Sequence, residues 1–191
     1  MEYFYLGIDL GTGSCKSVAV DAQGSILGFG VGEYPSSSAD TKWQQQDPQA
    51  IIKGMLASVQ TALSQIREPK GACGGVSLGG ALHSLLVLDQ HGQPLTGVMT
   101  WADGRAAAQA QRVKEGSHAS EIYQRTGCPI HGMYPLYKIL WLKEQRPNTF
   151  ARAARFVSAK EYIFAQLTGQ YWVDYSLAAG SGLLNTHNLD W

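Results

Sequence analysis

Residues Tyr3 to Asp9 form an almost wholly apolar and aromatic run that ends on a carboxylate and meets Gly11-Thr12-Gly13-Ser14 directly behind it. Such a run reads as a buried strand, and glycine punctuation at its end demands a tight turn. Lys16 to Asp21 reads as a second strand, Asp21-Ala22-Gln23-Gly24 as a turn, and Ser25 to Val31 as a third strand. The chain is therefore expected to open as an antiparallel meander.

The rest of the pattern adds helices to that start. Glu33 to Trp43 is polar and Ser-rich, as a loop would be. Asp47-Pro48 supplies an N-cap acceptor followed by a residue whose missing N–H costs nothing in a first turn. Ile51, Ile52, Met55, Leu56, Val59, Ala62, Leu63 and Ile66 then line one helical face. Gly74 to Leu78 and Leu85 to Asp89 read as further strands, and Asp89-Gln90-His91-Gly92 repeats the Asp-x-x-Gly turn seen at Asp21. Helices are expected from Ala102 to Glu115 and from Leu136 to Gln145, the latter ended by Pro147. Ser158 and Glu161 form a capping box, with Gly169 at the far end of that helix. Strands followed by a helix, more strands and more helices define an α/β domain with a mixed sheet and flanking helices.

Charge and cysteine usage exclude several classes. The 191 residues carry 15 basic and 15 acidic side chains, which leaves no broad field for nucleic acid or an anionic membrane surface. No apolar run approaches the roughly 20 residues of a membrane helix, and the N-terminus lacks a signal peptide's basic region and cleavage site. Cys15, Cys73 and Cys128 are scattered, so neither a disulfide framework nor a cysteine zinc site is expected; a reducing cytoplasm is the simplest location.

The chemistry concentrates at Gly7-Ile8-Asp9-Leu10-Gly11-Thr12-Gly13-Ser14, with Lys16 beyond it. Glycines let backbone N–H groups approach a phosphate, and small hydroxyls add donors. A carboxylate beside such a turn repels bare phosphate, but with Mg²⁺ between them it becomes an anchor. The segment is neither a Walker A loop nor a dinucleotide fingerprint, since the glycine spacing fails and a strand follows. A plain hairpin turn, with Asp9 capping its own loop, has the same local pattern.

In order along the chain, this opening, Trp43-x-x-x-Asp47-Pro48, Gly75-Val76-Ser77 leading to Ala81-Leu82-His83-Ser84, and Thr100-Trp101-Ala102-Asp103-Gly104-Arg105 resemble the FGGY carbohydrate kinases. The resemblance continues through Thr126-Gly127-Cys128-Pro129-Ile130-His131, Lys138 to Trp141, Ser158-Ala159-Lys160-Glu161-Tyr162, Asp174-Tyr175-Ser176 and Leu189-Asp190-Trp191. The Ala-Leu-His-Ser, Trp-Ala-Asp-Gly-Arg and Thr-Gly-Cys-Pro-Ile-His pieces resemble the gluconate kinase branch most, with the xylulose kinase branch next. The resemblance implies a ribonuclease H-like domain of the actin-like ATPase superfamily. It implies ATP as co-substrate with Mg²⁺, a sugar or sugar acid as acceptor, neither nucleic acid nor membrane as partner, and room for a homodimer.

By that resemblance Asp9 would hold the Mg²⁺–nucleotide, and Gly11, Thr12, Gly13, Ser14 and Lys16 would line the phosphate path. Leu82, His83, Asp103, Arg105, His131 and Lys138 would contact the sugar. A polyol carboxylate needs acceptors, donors and a cation, which these types supply. Each has a structural alternative: His83 as a satisfied core histidine, Asp103 as a helix cap, Arg105 as its ion-pair partner, His131 and Lys138 as ordinary loop and helix-face residues.

Family members are more than twice as long, and the general base of the family is an Asp in a later Gly-Gly-x-Asp segment that does not occur after Leu184. Residues 1–191 are accordingly expected to be an FGGY N-terminal, substrate-binding domain that is incomplete at its C-terminal end and lacks the second domain. By itself the chain is expected to show no kinase turnover. A ribonuclease H-like metal nuclease would need further clustered carboxylates and a basic stripe; a non-catalytic sugar-binding or regulatory module is the alternative of another class.

Overall fold

A computed structural model describes residues 3–36, 42–67 and 71–191. The chain divides into two compact units: Met1–Ser36 with Gln46–Ala81, and Ser37–Gln45 with Leu82–Trp191.

The first unit is a four-stranded sheet in the order β3-β2-β1-β5, built from β1 (Tyr3–Leu10), β2 (Ser14–Asp21), β3 (Ile26–Glu33) and β5 (Ala72–Gly80). β1, β2 and β3 form the expected antiparallel meander, and β5 adds to β1 in parallel, so the sheet is mixed. Helix α1 (Pro48–Ser64) covers one face, with Asp47 as its N-cap accepting from the Gln49 N–H at 2.9 Å.

A stripe of small residues decides how closely that helix lies. Gly28, Gly30 and Gly32 alternate along β3, while Gly54, Ser58 and Ala62 recur every fourth residue along α1. A Cβ on Gly28, Gly30 or Gly32 would fall 2.0, 2.0 or 1.9 Å from the carbonyl oxygen of Ala62, Ser58 or Gly54. Backbone therefore packs on backbone there. Ser17 and Ser58, both buried, share a 2.7 Å hydrogen bond across the same interface.

The expectation that Tyr3–Asp9 is buried throughout does not hold. Leu6, Ile8 and Leu10 are buried, whereas Tyr3, Tyr5 and Asp9 are exposed. Successive side chains of a strand point to opposite faces, and α1 covers the Leu6-Ile8-Leu10 side.

In the second unit, β6 (Leu86–Leu88) pairs antiparallel with β8 (Arg155–Val157), and β4 (Gln45–Gln46), where the chain passes from this unit to the first, ladders with β7 (Val98–Met99). Its helices are α2 (Ala107–Lys114), α3 (Ala119–Thr126), α4 (Pro135–Gln145), α5 (Pro147–Arg152), α6 (Ala159–Thr168) and α7 (Tyr175–Ala179). Leu85, Val87, Met99, Tyr137, Trp141 and Leu142 are among the residues of its core. The capping box at Ser158 and Glu161 is formed, and Gly169 ends α6 in the left-handed conformation.

The helix expected from Ala102 begins only at Ala107, because Asp103 and Gly104 belong to a turn in which the Asp103 N–H donates to Thr100 O at 3.1 Å. Helices α3, α5 and α7 lie outside the expectations. α3 buries only Thr126 and α5 buries no residue, so neither presents the broad apolar face by which the longer helices were read. The loop expected at Glu33–Trp43 falls partly on residues 37–41, outside the described residues.

Candidate functional site

In the first unit, Asp9 is the penultimate residue of β1, in register with Lys16 of β2 on one side and Gly79 of β5 on the other. Strand alternation turns it to the sheet face opposite α1, where it is exposed and lines a shallow cavity of about 300 Å³ with Lys16, Ser17 and Ser77. A Cβ on Gly79 would stand 3.7 Å from Asp9 Oδ1, so glycine keeps that flank of the carboxylate open. No salt bridge among the described residues involves Asp9. The turn that follows is closed by the Gly11 N–H donating to Ser14 O at 3.0 Å.

No group of three or more His, Cys, Asp or Glu among the described residues forms a metal cage. Mg²⁺ is ordinarily held by one or two carboxylates with waters and substrate phosphates. A single accessible carboxylate at the lip of a glycine turn fits that mode and no all-protein cage.

The second unit gathers four of the candidates. His83, three residues beyond β5 in sequence, is half-buried and adopts φ 63°, a left-handed conformation uncommon for a residue with a side chain. Its Nδ1 lies 2.7 Å from the Gly180 carbonyl, and its ring meets Tyr134 edge-on at 4.8 Å. A carbonyl only accepts, so Nδ1 carries a proton, and in the neutral ring Nε2 is then the acceptor. The ring lines a cavity of about 250 Å³ shared with Ser84, Glu161 and Leu177. Burial raises the Glu161 carboxyl above its ordinary value.

Asp103 and Arg105 face each other. Asp103 has a fully buried side chain, and Arg105 grips it through Nε at 2.8 Å and a terminal nitrogen at 2.7 Å. The Gln44 N–H also donates to Asp103 Oδ2 at 3.0 Å. The Arg105 guanidinium lies 4.3 Å from the Trp43 ring centroid and 5.0 Å from that of Trp141. The carboxylate is thus consumed by the Gln44 N–H and its arginine, and the arginine by its carboxylate and two indoles.

Lys138 of α4 is 1% exposed, with Nζ donating to the carbonyls of His83 at 2.6 Å and Thr100 at 2.7 Å. Burial pulls its ammonium down to about 7, with Asp103 opposing the shift and Arg105 adding to it. Leu82 is 41% exposed. His131 is exposed and accepts from the Met133 N–H at 3.2 Å, apart from the His83–Lys138–Thr100 linkage.

Sequence reasoning did not single out Tyr34 and Gln46, which hold the Gly11–Ser14 turn from behind, or Trp43 and Trp141 as the cradle of Arg105. A tyrosine directly after a Gly-x-Gly-x-Gly strand and a glutamine directly before an Asp-Pro N-cap were the available signals.

Residues 4–191 match the FGGY family of carbohydrate kinases, N-terminal domain, and the chain belongs to that family. It is 37% identical to a gluconokinase of Bacillus subtilis over 191 residues, covering 100% of this chain and 37% of that protein. It is 33% identical to a xylulose kinase of Lactococcus lactis, covering 98% of this chain and 37% of that one. Among solved structures it superposes on gluconate kinase from Lactobacillus acidophilus with a TM-score of 0.95 at 32% identity, covering 100% of this chain and 38% of the other. The chain therefore spans a little over a third of the length of these relatives. Its fold is the α/β, ribonuclease H-like fold of the actin-like ATPases, with a mixed sheet and flanking helices.

Proposed function

We propose that residues 1–191 bind the sugar and position the nucleotide phosphates in an ATP-dependent kinase whose acceptor is a sugar acid, gluconate first, with xylulose the alternative. The observation that carries the reading is Asp9: an accessible carboxylate at the end of an interior strand, beside a glycine turn and in no ion pair among the described residues. The likeness to gluconokinases along the whole chain supports the acceptor.

In this reading Asp9 holds the Mg²⁺ that accompanies ATP, and the ion neutralises phosphoryl charge there. The amides of the Gly11–Ser14 turn orient the phosphates. His83 donates through Nδ1 to Gly180 O and offers Nε2 to a sugar hydroxyl. Asp103, Arg105 and Lys138 form the rigid frame of that pocket instead of touching the sugar. The reading assigns no catalytic base to residues 1–191.

Titration calorimetry of the 191-residue protein tests it. Gluconate is expected to bind more tightly than xylulose, and His83→Ala to weaken the binding at least tenfold. Absence of heat with both sugars overturns the assignment of the acceptor.

A further inference from the structure

The Gly11–Ser14 turn has an arrangement of carbonyls that a hairpin does not require. The Tyr34 hydroxyl donates to Gly11 O at 2.9 Å, and the next carbonyl, Thr12 O, accepts from Gln46 Nε2 and from the Ser36 hydroxyl at 3.4 Å. The third, Gly13 O, accepts from the Tyr34 N–H at 3.1 Å. Three consecutive carbonyls are therefore drawn toward the residues that follow β3 and precede α1.

In a trans peptide the C=O and the N–H of the next residue point in opposite directions. Drawing Gly11 O and Thr12 O inward turns the N–H groups of Thr12 and Gly13 to the other side of the turn. Gly13 is exposed there, and successive amides on one side make an anion-binding concavity. The anchors are rigid. Tyr34 is 1% exposed and Gln46 4% exposed. The Tyr34 ring rests on α1 where a Cβ on Gly54 would come within 2.5 Å of Cδ1. Burial lifts the phenol above its ordinary range, which keeps the hydroxyl protonated and donating.

We propose that Tyr34 and Gln46 are positioning residues that preset the amides of Thr12 and Gly13 for phosphoryl oxygens. The inference rests on the phosphate-binding reading of the turn given above, and it adds that the turn is set before any ligand arrives. Neither side chain touches the ligand.

The test uses the 191-residue protein, with pyrophosphate and Mg²⁺ as the probe. Amide resonances of Thr12 and Gly13 are followed by nuclear magnetic resonance in wild type, Tyr34→Phe and Gln46→Met. Wild type is expected to shift at both amides on titration. Each variant is expected to bind about 3- to 10-fold more weakly, the effect of one lost hydrogen bond, with altered Thr12 or Gly13 shifts before ligand is added. Gluconate affinity is expected to stay at the wild-type value, a readout that general destabilisation would move. Variants that bind pyrophosphate as wild type does overturn the positioning role alone. A wild-type protein whose Thr12 and Gly13 amides ignore pyrophosphate overturns the phosphate reading and this inference together. Should one variant fail to fold, the other carries the comparison.

Discussion

Lys138 Nζ donates to the carbonyl of His83 at 2.6 Å, and so a buried amine on α4 pins the one residue of its loop that holds a left-handed backbone. Strain of that kind costs about 1–3 kcal/mol and persists only where the surroundings over-determine it. The same nitrogen reaches Thr100 O at 2.7 Å. A neutral amine has two N–H donors, which these two carbonyls use, so the clamp survives loss of the third proton.

That gives a pH signature. The folded-state value of Lys138, about 7, lies below the ordinary 10.5. Between those values the unfolded chain binds more protons than the folded one, so this group makes stability rise with pH above about 7. Denaturant unfolding of wild type and Lys138→Met between pH 6 and pH 9 measures it. The wild-type advantage is expected to grow with pH; a difference that is flat or shrinks refutes the depressed ammonium.

The Asp103–Arg105 pair invites an unfolding experiment. Removing one partner of a buried pair leaves a charge without compensation and typically costs about 3–5 kcal/mol. Asp103→Ala is expected in that range by urea unfolding. Arg105→Lys is expected to lose much of the same amount, since an ammonium cannot fork onto both carboxylate oxygens and is more strongly hydrated than the guanidinium that lies 4.3 Å from the Trp43 ring centroid and 5.0 Å from that of Trp141. Wild-type stability in Arg105→Lys would mean that the charge alone suffices.

Gly30 tests the contact between β3 and α1. A Cβ there would stand 2.0 Å from Ser58 O, so alanine must lift the helix off the sheet. Overpacking of this type costs about 1–3 kcal/mol or more. Gly30→Ala is expected to lower the melting temperature by several degrees, while Gly13→Ala, with nothing within 4 Å of its Cβ, is expected to leave it nearly unchanged. Equal effects at the two positions would contradict the backbone-on-backbone packing.

What the sequence disclosed follows from which forces are local. The meander, the Asp47-Pro48 start of α1 and the Ser158–Glu161 box rest on contacts within a few residues, and a chain announces those. The two Asp-x-x-Gly turns are equally local: Asp21 Oδ1 accepts from the N–H groups of Gln23 and Ser25, and Asp89 Oδ1 from those of His91 and Gln93. The position of Asp9 at a strand end was legible for the same reason. The pairing of Arg105 with Asp103, two residues apart, was legible as an alternative. The burial of that pair and the commitment of Lys138 were not, because the residues that complete them lie far along the chain, at Gln44 for Asp103, at Gln45 for Arg105 and at His83 for Lys138. Tyr34 and Gln46 stayed hidden for that reason too, since each acts on a turn more than 20 residues earlier.

Asp9 itself provides the remaining prediction. Its carboxylate is exposed and joins no ion pair among the described residues, so folding draws little from its charge. Asp9→Asn keeps the size and removes the charge, and its melting temperature is expected to stay within a degree or two of wild type. Mg²⁺-dependent pyrophosphate binding should behave differently, because a hard divalent cation takes an anionic oxygen far more readily than an amide. Wild type is expected to bind pyrophosphate more tightly when Mg²⁺ is added, and the variant to lose that enhancement while keeping the metal-free binding supplied by the turn's amides. Repulsion between the carboxylate and bare pyrophosphate also disappears, so metal-free affinity is expected to hold or improve slightly. A variant that still responds to Mg²⁺ as wild type does would place the ion elsewhere and leave the end of β1 as an ordinary hairpin.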